Sequence, residues 1–118
     1  MRLLATTQGL YYLATGIWPI LHIDSFQAVT GAKTDLWLVR TVGLLIAVIG
    51  AAVFAARQRP ALSPEMFILA GGSAMALGTI DVVYAAGGVI SKIYLLDAPL
   101  EAALVVGWSI AWSRRPRP

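Results

Sequence analysis

The stretch Leu36–Ala56, LWLVRTVGLLIAVIGAAVFAA, decides the fold. It is apolar from end to end except for Arg40 and Thr41, and a helix of this length crosses the ~30 Å of hydrocarbon in a bilayer. Three further runs are nearly free of charge: Leu3–Ile23, Met66–Ala86 and Tyr94–Trp112. Together the four runs take up most of the 118 residues. Hydrophobic residues make up 58% of the chain and charged residues 13%, against about 25% charged in a soluble domain. These features predict an all-α membrane protein: one domain, residues 1–118, folded as an antiparallel bundle of four transmembrane helices. The first run is too long for the apolar core of a secretory signal and is read as a retained helix.

Local signals place the helix ends. Asp35 can cap the second helix, and Arg57, Arg59 and Pro60 close it. Ser63-Pro64-Glu65 combines a serine cap, a proline in the first turn and an acid at the positive end of the helix dipole. Gly87-Gly88 ends the third helix. The segment Asp24–Thr34 reads as a long outer loop, and the tight connection Arg59–Ser63 makes the second and third helices expected neighbours. Arg2, Arg57, Arg59, Arg114, Arg115 and Arg117 fall on one side of this arrangement, with Lys33 and Lys92 on the other. The positive-inside rule then puts both termini in the cytoplasm, in a bacterial inner membrane.

The charges inside the runs carry the functional reading. Arg40 stands about one turn inside the outer end of its helix, where an unpaired arginine costs a few kcal/mol or more. Asp81 and Glu101 lie at similar depth on two other helices, all within roughly 6–12 Å of the outer boundary at 1.5 Å per residue. An intramembrane salt bridge from Arg40 to these acids is the expected partnership. Asp97 has two readings, as a cap of the fourth helix with Pro99 in its first turn, or as a third acid of the cluster. Side chains spaced by three or four share a helix face. Tyr11, Thr15, Trp18 and His22 then follow Gln8 along the first helix, Trp37 joins Arg40, Tyr84 joins Asp81, and Trp108 and Trp112 follow Glu101. Turned inward, these stripes predict a polar, aromatic-lined cavity open to the outer leaflet. Its expected ligand-binding set is Tyr11, Thr15, Trp18, His22, Trp37, Arg40, Asp81, Tyr84, Asp97 and Glu101. Trp18, Trp37, Tyr84 and Tyr94 also suit an interfacial aromatic belt, which leaves Tyr11 the aromatic that the belt explains least.

Small residues recur four apart, at Gly43, Ala47 and Ala51 on the second helix and at Gly72/Ala76 or Ala74/Gly78 on the third, the pattern of close helix packing in lipid. The chain has no cysteine, which excludes thiolate ligation and disulfide exchange. A single histidine without ligand spacing predicts no metal and no cofactor, and basic residues confined to helix ends predict no nucleic-acid partner. The leading functional expectation is a non-enzymatic membrane protein that binds a small amphipathic or cationic ligand. The alternatives are an accessory subunit of a larger membrane complex and an enzyme acting on a lipid-soluble substrate through a carboxylate acid or base. Membrane lipids are expected partners, and a homodimer remains open.

Gly9-Leu10-Tyr11-Tyr12 through Trp18-Pro19, Thr30-Gly31-Ala32-Lys33-Thr34-Asp35 and Trp37-Leu38-Val39-Arg40 resemble small bacterial four-helix membrane proteins. The layout is similar to the DoxX-like group. That resemblance implies an accessory role in membrane redox systems, for which the chain holds neither cysteine nor a haem-ligand pair.

Overall fold

Helix boundaries follow from residues that satisfy or break the backbone ladder. The computed structural model describes residues 1–116, and Arg117 lies outside the described residues. Helix α1, Arg2–Leu21, stops at His22, whose backbone leaves the helical region at φ −151°. The His22 ring then caps the next helix, its Nδ1 accepting the Ser25 N–H at 3.1 Å. This short helix α2, Ile23–Thr30, occupies most of the segment expected to be a plain loop. Gly31 ends it at φ +100°, a conformation that costs glycine little.

Helix α3, Leu36–Ala55, begins at Asp35, whose backbone rather than side chain serves the cap. It tightens into a 3₁₀ turn, Ala56–Gln58. Helix α4, Pro64–Ile80, opens as its sequence predicts, with the Ser63 hydroxyl accepting the Met66 N–H at 3.2 Å. It widens into a π-helical turn at Asp81–Ala85, and Gly88 turns the chain at φ +78°. Helix α5 runs Tyr94–Ser113 with Pro99 inside it. Its start at Tyr94 settles Asp97: the N-cap is Ile93 and makes no side-chain cap bond, so Asp97 is in the first turn, with its carboxylate free for other partners.

Among the described residues three segments are long and apolar enough to cross a membrane: Leu36–Gln58, Pro64–Ala85 and Tyr94–Ser113, with mean hydropathies of 2.3, 1.7 and 1.3. The protein is therefore all-helical with three candidate membrane spans, which supports an integral-membrane location. Helix α1 has 20 residues but is more polar, carrying Thr6, Thr7, Gln8 and Thr15. That polarity has a structural counterpart below.

The long helices associate in two pairs. α1 packs along α3, and α4 along α5. In the first pair glycines meet backbone to backbone: a Cβ on Gly16 would stand 2.5 Å from the Gly43 carbonyl oxygen, and one on Gly50 would stand 2.7 Å from the Leu13 nitrogen. Gly9 lies as close to Phe54, so α1 and α3 run antiparallel. The small-residue stripe of α3 is Gly43, Ala47 and Gly50, all buried, whereas Ala51 faces outward. On α4, Ala70 and Ala74 are buried and Gly78 abuts Glu101, while Gly72 has open space beside it. Of the two stripes expected on this helix, the Ala74/Gly78 one makes the helix contact. α3 and α4 touch only sparsely, so the tight Arg59–Ser63 connection joins helices that are not close-packed neighbours. α1 engages α3 on one face and the α4–α5 pair on another.

Candidate functional site

Along α1, Gln8 and Gly9 are consecutive, so their side chains diverge by about 100°. Gly9 and Gly16 turn toward α3. Gln8, Tyr11 and Tyr12 reach the α4–α5 pair instead, and what they meet there is polar.

The inner layer centres on Gln8, which is fully buried. Its Nε2 donates to the Ala70 carbonyl at 2.9 Å, and its Oε1 accepts the Trp108 Nε1–H at 2.6 Å. A longer contact reaches the Ser73 hydroxyl at 3.4 Å. One amide thus joins three helices, and Trp108, the largest fully buried side chain, has its only polar atom satisfied.

The outer layer holds the acids. The Tyr12 hydroxyl donates to Glu101 Oε2 at 2.7 Å, with both residues 1% exposed. The Tyr11 hydroxyl donates to Asp97 Oδ1. Asp97 in turn faces Asp81 and Glu101, and Asp81 is only 4% exposed. Its Oδ2 is buried without a hydrogen-bond partner. Three carboxyl groups from two helices therefore share one apolar neighbourhood, with two phenols from a third. Isolated carboxylates in such a medium repel one another and are poorly solvated, so the group holds together through shared protons or a bound cation.

Arg40 does not supply that cation. Its side chain is exposed on α3, and no salt bridge forms among the described residues. The expected intramembrane salt bridge is thereby corrected. α3 lies against α1 and makes no substantial contact with α5, so α1 stands between the arginine and the acids. At about one turn from the helix end, the long side chain can carry its charge to the surface while its stem stays in lipid.

Of the ten residues expected to line one cavity, Tyr11, Asp81, Asp97 and Glu101 come together. The other six do not. Thr15 bonds back to the Tyr11 carbonyl of its own helix. Trp18 donates to the Ser25 hydroxyl at 2.8 Å and meets the Phe26 ring edge-on, and His22 caps α2. Trp37 is 69% exposed and Tyr84 42%, as suits interfacial anchors, and Arg40 faces outward. Tyr12 is the site residue missing from the sequence reading. Its signal was its position, four residues after Gln8 and hence on the same face.

Lys33 also finds local partners. Its Nζ donates to the Thr30 and Gly31 carbonyls and lies 5.6 Å and 5.1 Å from the Phe26 and Tyr94 ring centres. It ties α2 to the start of α5 rather than entering the cluster. Among the described residues no group of three or more acids or histidines is arranged to hold a metal ion.

Two open cavities lie elsewhere. One, of about 470 Å³, is a groove between α4 and α5 that includes Gly78, Val82, Ala98 and Ala102. The other, of about 410 Å³, is at the opposite end of the molecule, around Met1, Arg59 and Met66. Neither is lined by the three acids.

No family model, curated protein or solved structure matches the chain. The likeness to DoxX-like proteins thus stays one of general layout, and the functional reading rests on the chain's own residues.

Proposed function

We propose that this chain is a small integral membrane protein that uses the acid–tyrosine cluster to bind a cationic headgroup from the outer leaflet. The observation that carries the reading is Asp81 Oδ2, a buried carboxylate oxygen with no hydrogen-bond partner, beside two more carboxyls and with no salt bridge among the described residues. Buried polar atoms are rarely left unpaired. A protonated amine offers N–H donors to the oxygens that Tyr11 and Tyr12 do not reach, and the positive charge that the cluster lacks. Tyr11 and Tyr12 position the acids by donating to Asp97 and Glu101, leaving the remaining oxygens as acceptors. Inward of the acids the network ends on Gln8 and Trp108. Neither an amide nor an indole takes up or releases protons at neutral pH, so the arrangement suits a binding site loaded from one side better than a proton path.

This reading places α1 as a fourth crossing helix and makes the fold an antiparallel four-helix bundle with both termini cytoplasmic. Supporting it are the length of α1 and the segregation of Arg2, Arg57, Arg59, Arg114 and Arg115 from Lys33 and Lys92. Because the chain has no cysteine, single substitutions can report its topology. With intact cells and an impermeant maleimide, Ser91→Cys should react and Ser63→Cys should not. The reverse pattern, or reaction of both, would overturn the orientation.

The binding reading is tested with dicyclohexylcarbodiimide, which modifies carboxyl groups in apolar surroundings. Mass spectrometry should find Asp81 and Glu101 modified, and n-butylamine at neutral pH should preserve the unmodified carboxyls where n-butanol does not, any butylamide formed from the activated carboxyl being counted as modified. Equal rates with amine and alcohol would remove the cationic headgroup from the account.

A further inference from the structure

The groove between α4 and α5 and the acid cluster share a wall. Gly78 lines the groove, and a Cβ built on it would stand 3.2 Å from the Cβ of Glu101. With glycine at that point the partition is a bare backbone. Val82 and Ala98, also in the groove lining, are the sequence neighbours of Asp81 and Asp97. Gly78 thus separates the groove from Glu101 at contact distance, and Asp81 and Asp97 are each one residue from a groove-lining position. The outer part of the wall is irregular on both sides. The π turn begins at Asp81 on α4. On α5, Pro99 cannot donate the hydrogen bond that a helix would direct to the Leu95 carbonyl. Interrupted helices beside buried charges are a recurrent way to line ligand sites within membranes.

We infer that the groove takes the hydrocarbon chain of a single-chain alkylamine whose ammonium head is held by Asp81, Asp97 and Glu101. This rests on the cationic-headgroup reading above and adds the tail and its route of entry. Charge complementarity selects the occupant: an apolar trough with Glu101 against its wall, two more acids one residue from its lining and no salt bridge among the described residues suits a molecule that is apolar along its length and positive at one end. Its volume of about 470 Å³ lies toward the small end of ligand pockets, which favours one chain over two. Entry is lateral, from the membrane, and requires α4 and α5 to part at the Gly78–Glu101 contact, so the head never has to cross the aromatic layer of Tyr11 and Tyr12.

The test uses dodecylamine carrying a diazirine at mid-chain, with the full protein in lipid nanodiscs. Irradiation should place adducts on Met75, Thr79 or Val105, and unlabelled dodecylamine should compete for them. Ala102→Leu and Thr79→Leu fill the groove from opposite helices at exposed positions without touching an acid. Each should lower groove labelling about tenfold, equivalent to about 1.4 kcal/mol of binding, while butylamine still protects Asp81 and Glu101 from carbodiimide. An unchanged melting temperature checks that the variants fold, and either one suffices if the other does not. Adducts scattered over all lipid-facing helices, indifferent to both substitutions, would overturn the groove while butylamine protection upheld the headgroup reading. Loss of butylamine protection in the wild-type protein would instead overturn the headgroup reading, and the groove proposal with it. A change of oligomeric state in Ala102→Leu with no loss of labelling would assign the groove to a second copy of the chain and overturn the alkylamine proposal.

Discussion

The two faces of α1 solve the same packing problem in opposite ways. Toward α3 the helix is stripped to glycine, and the backbones approach until no Cβ fits at Gly16 or Gly43. Toward α4 and α5 it carries Gln8, Tyr11 and Tyr12, and the gap is spanned by side chains instead. In lipid there is little hydrophobic force between helices, so association relies on close contact or on hydrogen bonds. The glycine seam uses the first and the polar seam the second. The difference teaches why the least apolar long helix belongs in the structure: the polar side chains it turns toward α4 and α5 are satisfied there, by Ala70, Trp108, Asp97 and Glu101.

The glycine seam should be the less forgiving of the two. Gly16→Leu forces α3 away along its length, because the obstructing atoms are the Gly43 carbonyl and the Ala47 backbone rather than a mobile side chain. We expect a loss of at least ~3 kcal/mol, the upper end of overpacking, read as thermal unfolding in detergent. Tolerance of leucine there would break the comparison.

Next in size is the inner polar layer. Gln8→Leu removes one amide and strands the Trp108 N–H, at about 2 kcal/mol for a buried donor left unsatisfied. Adding Trp108→Phe should recover part of that loss, since the stranded donor goes with it. Strict additivity of the two changes would mean that the bond contributes little.

Tyr12→Phe should cost about 1 kcal/mol, the net value of one hydrogen bond, with Tyr11→Phe costing less because Tyr11 and Asp97 are only partly buried. In the binding assay the order changes. Both phenols position acids, so each substitution should weaken amine protection of the carboxyls even where stability scarcely moves.

The smallest effect should come from Arg40→Ala, within about 0.5 kcal/mol as for a surface position. It should also be additive with Glu101→Gln, since α1 separates the two residues. Non-additivity above about 0.5 kcal/mol would show that arginine and acid communicate, and would contradict the placement of Arg40 outside the bundle.

What the sequence determined by itself is local or depends on depth alone. Three apolar spans, the Ser63 cap, the Gly88 turn and the similar depth of Asp81 and Glu101 all follow from helix rise, capping chemistry and chain length, none of which requires knowing a neighbour. Tertiary structure alone decided which helices pair. Arg40 and the acids are at matching depth, and in a four-helix arrangement any of them could have met. The glycine seam drew α3 onto α1, and α1 then filled the space between arginine and carboxylates. That choice turned the expected salt bridge into an acid–tyrosine cluster and made Tyr12 a partner of Glu101. Thr15, Trp18 and His22 lie on the predicted stripe of α1, but their hydrogen bonds go to their own helix and to α2, since α2 folds where a loop was expected. Helix periodicity gives a residue's angle around its own axis. It does not say which helix stands opposite, because that depends on contacts between residues far apart in the chain.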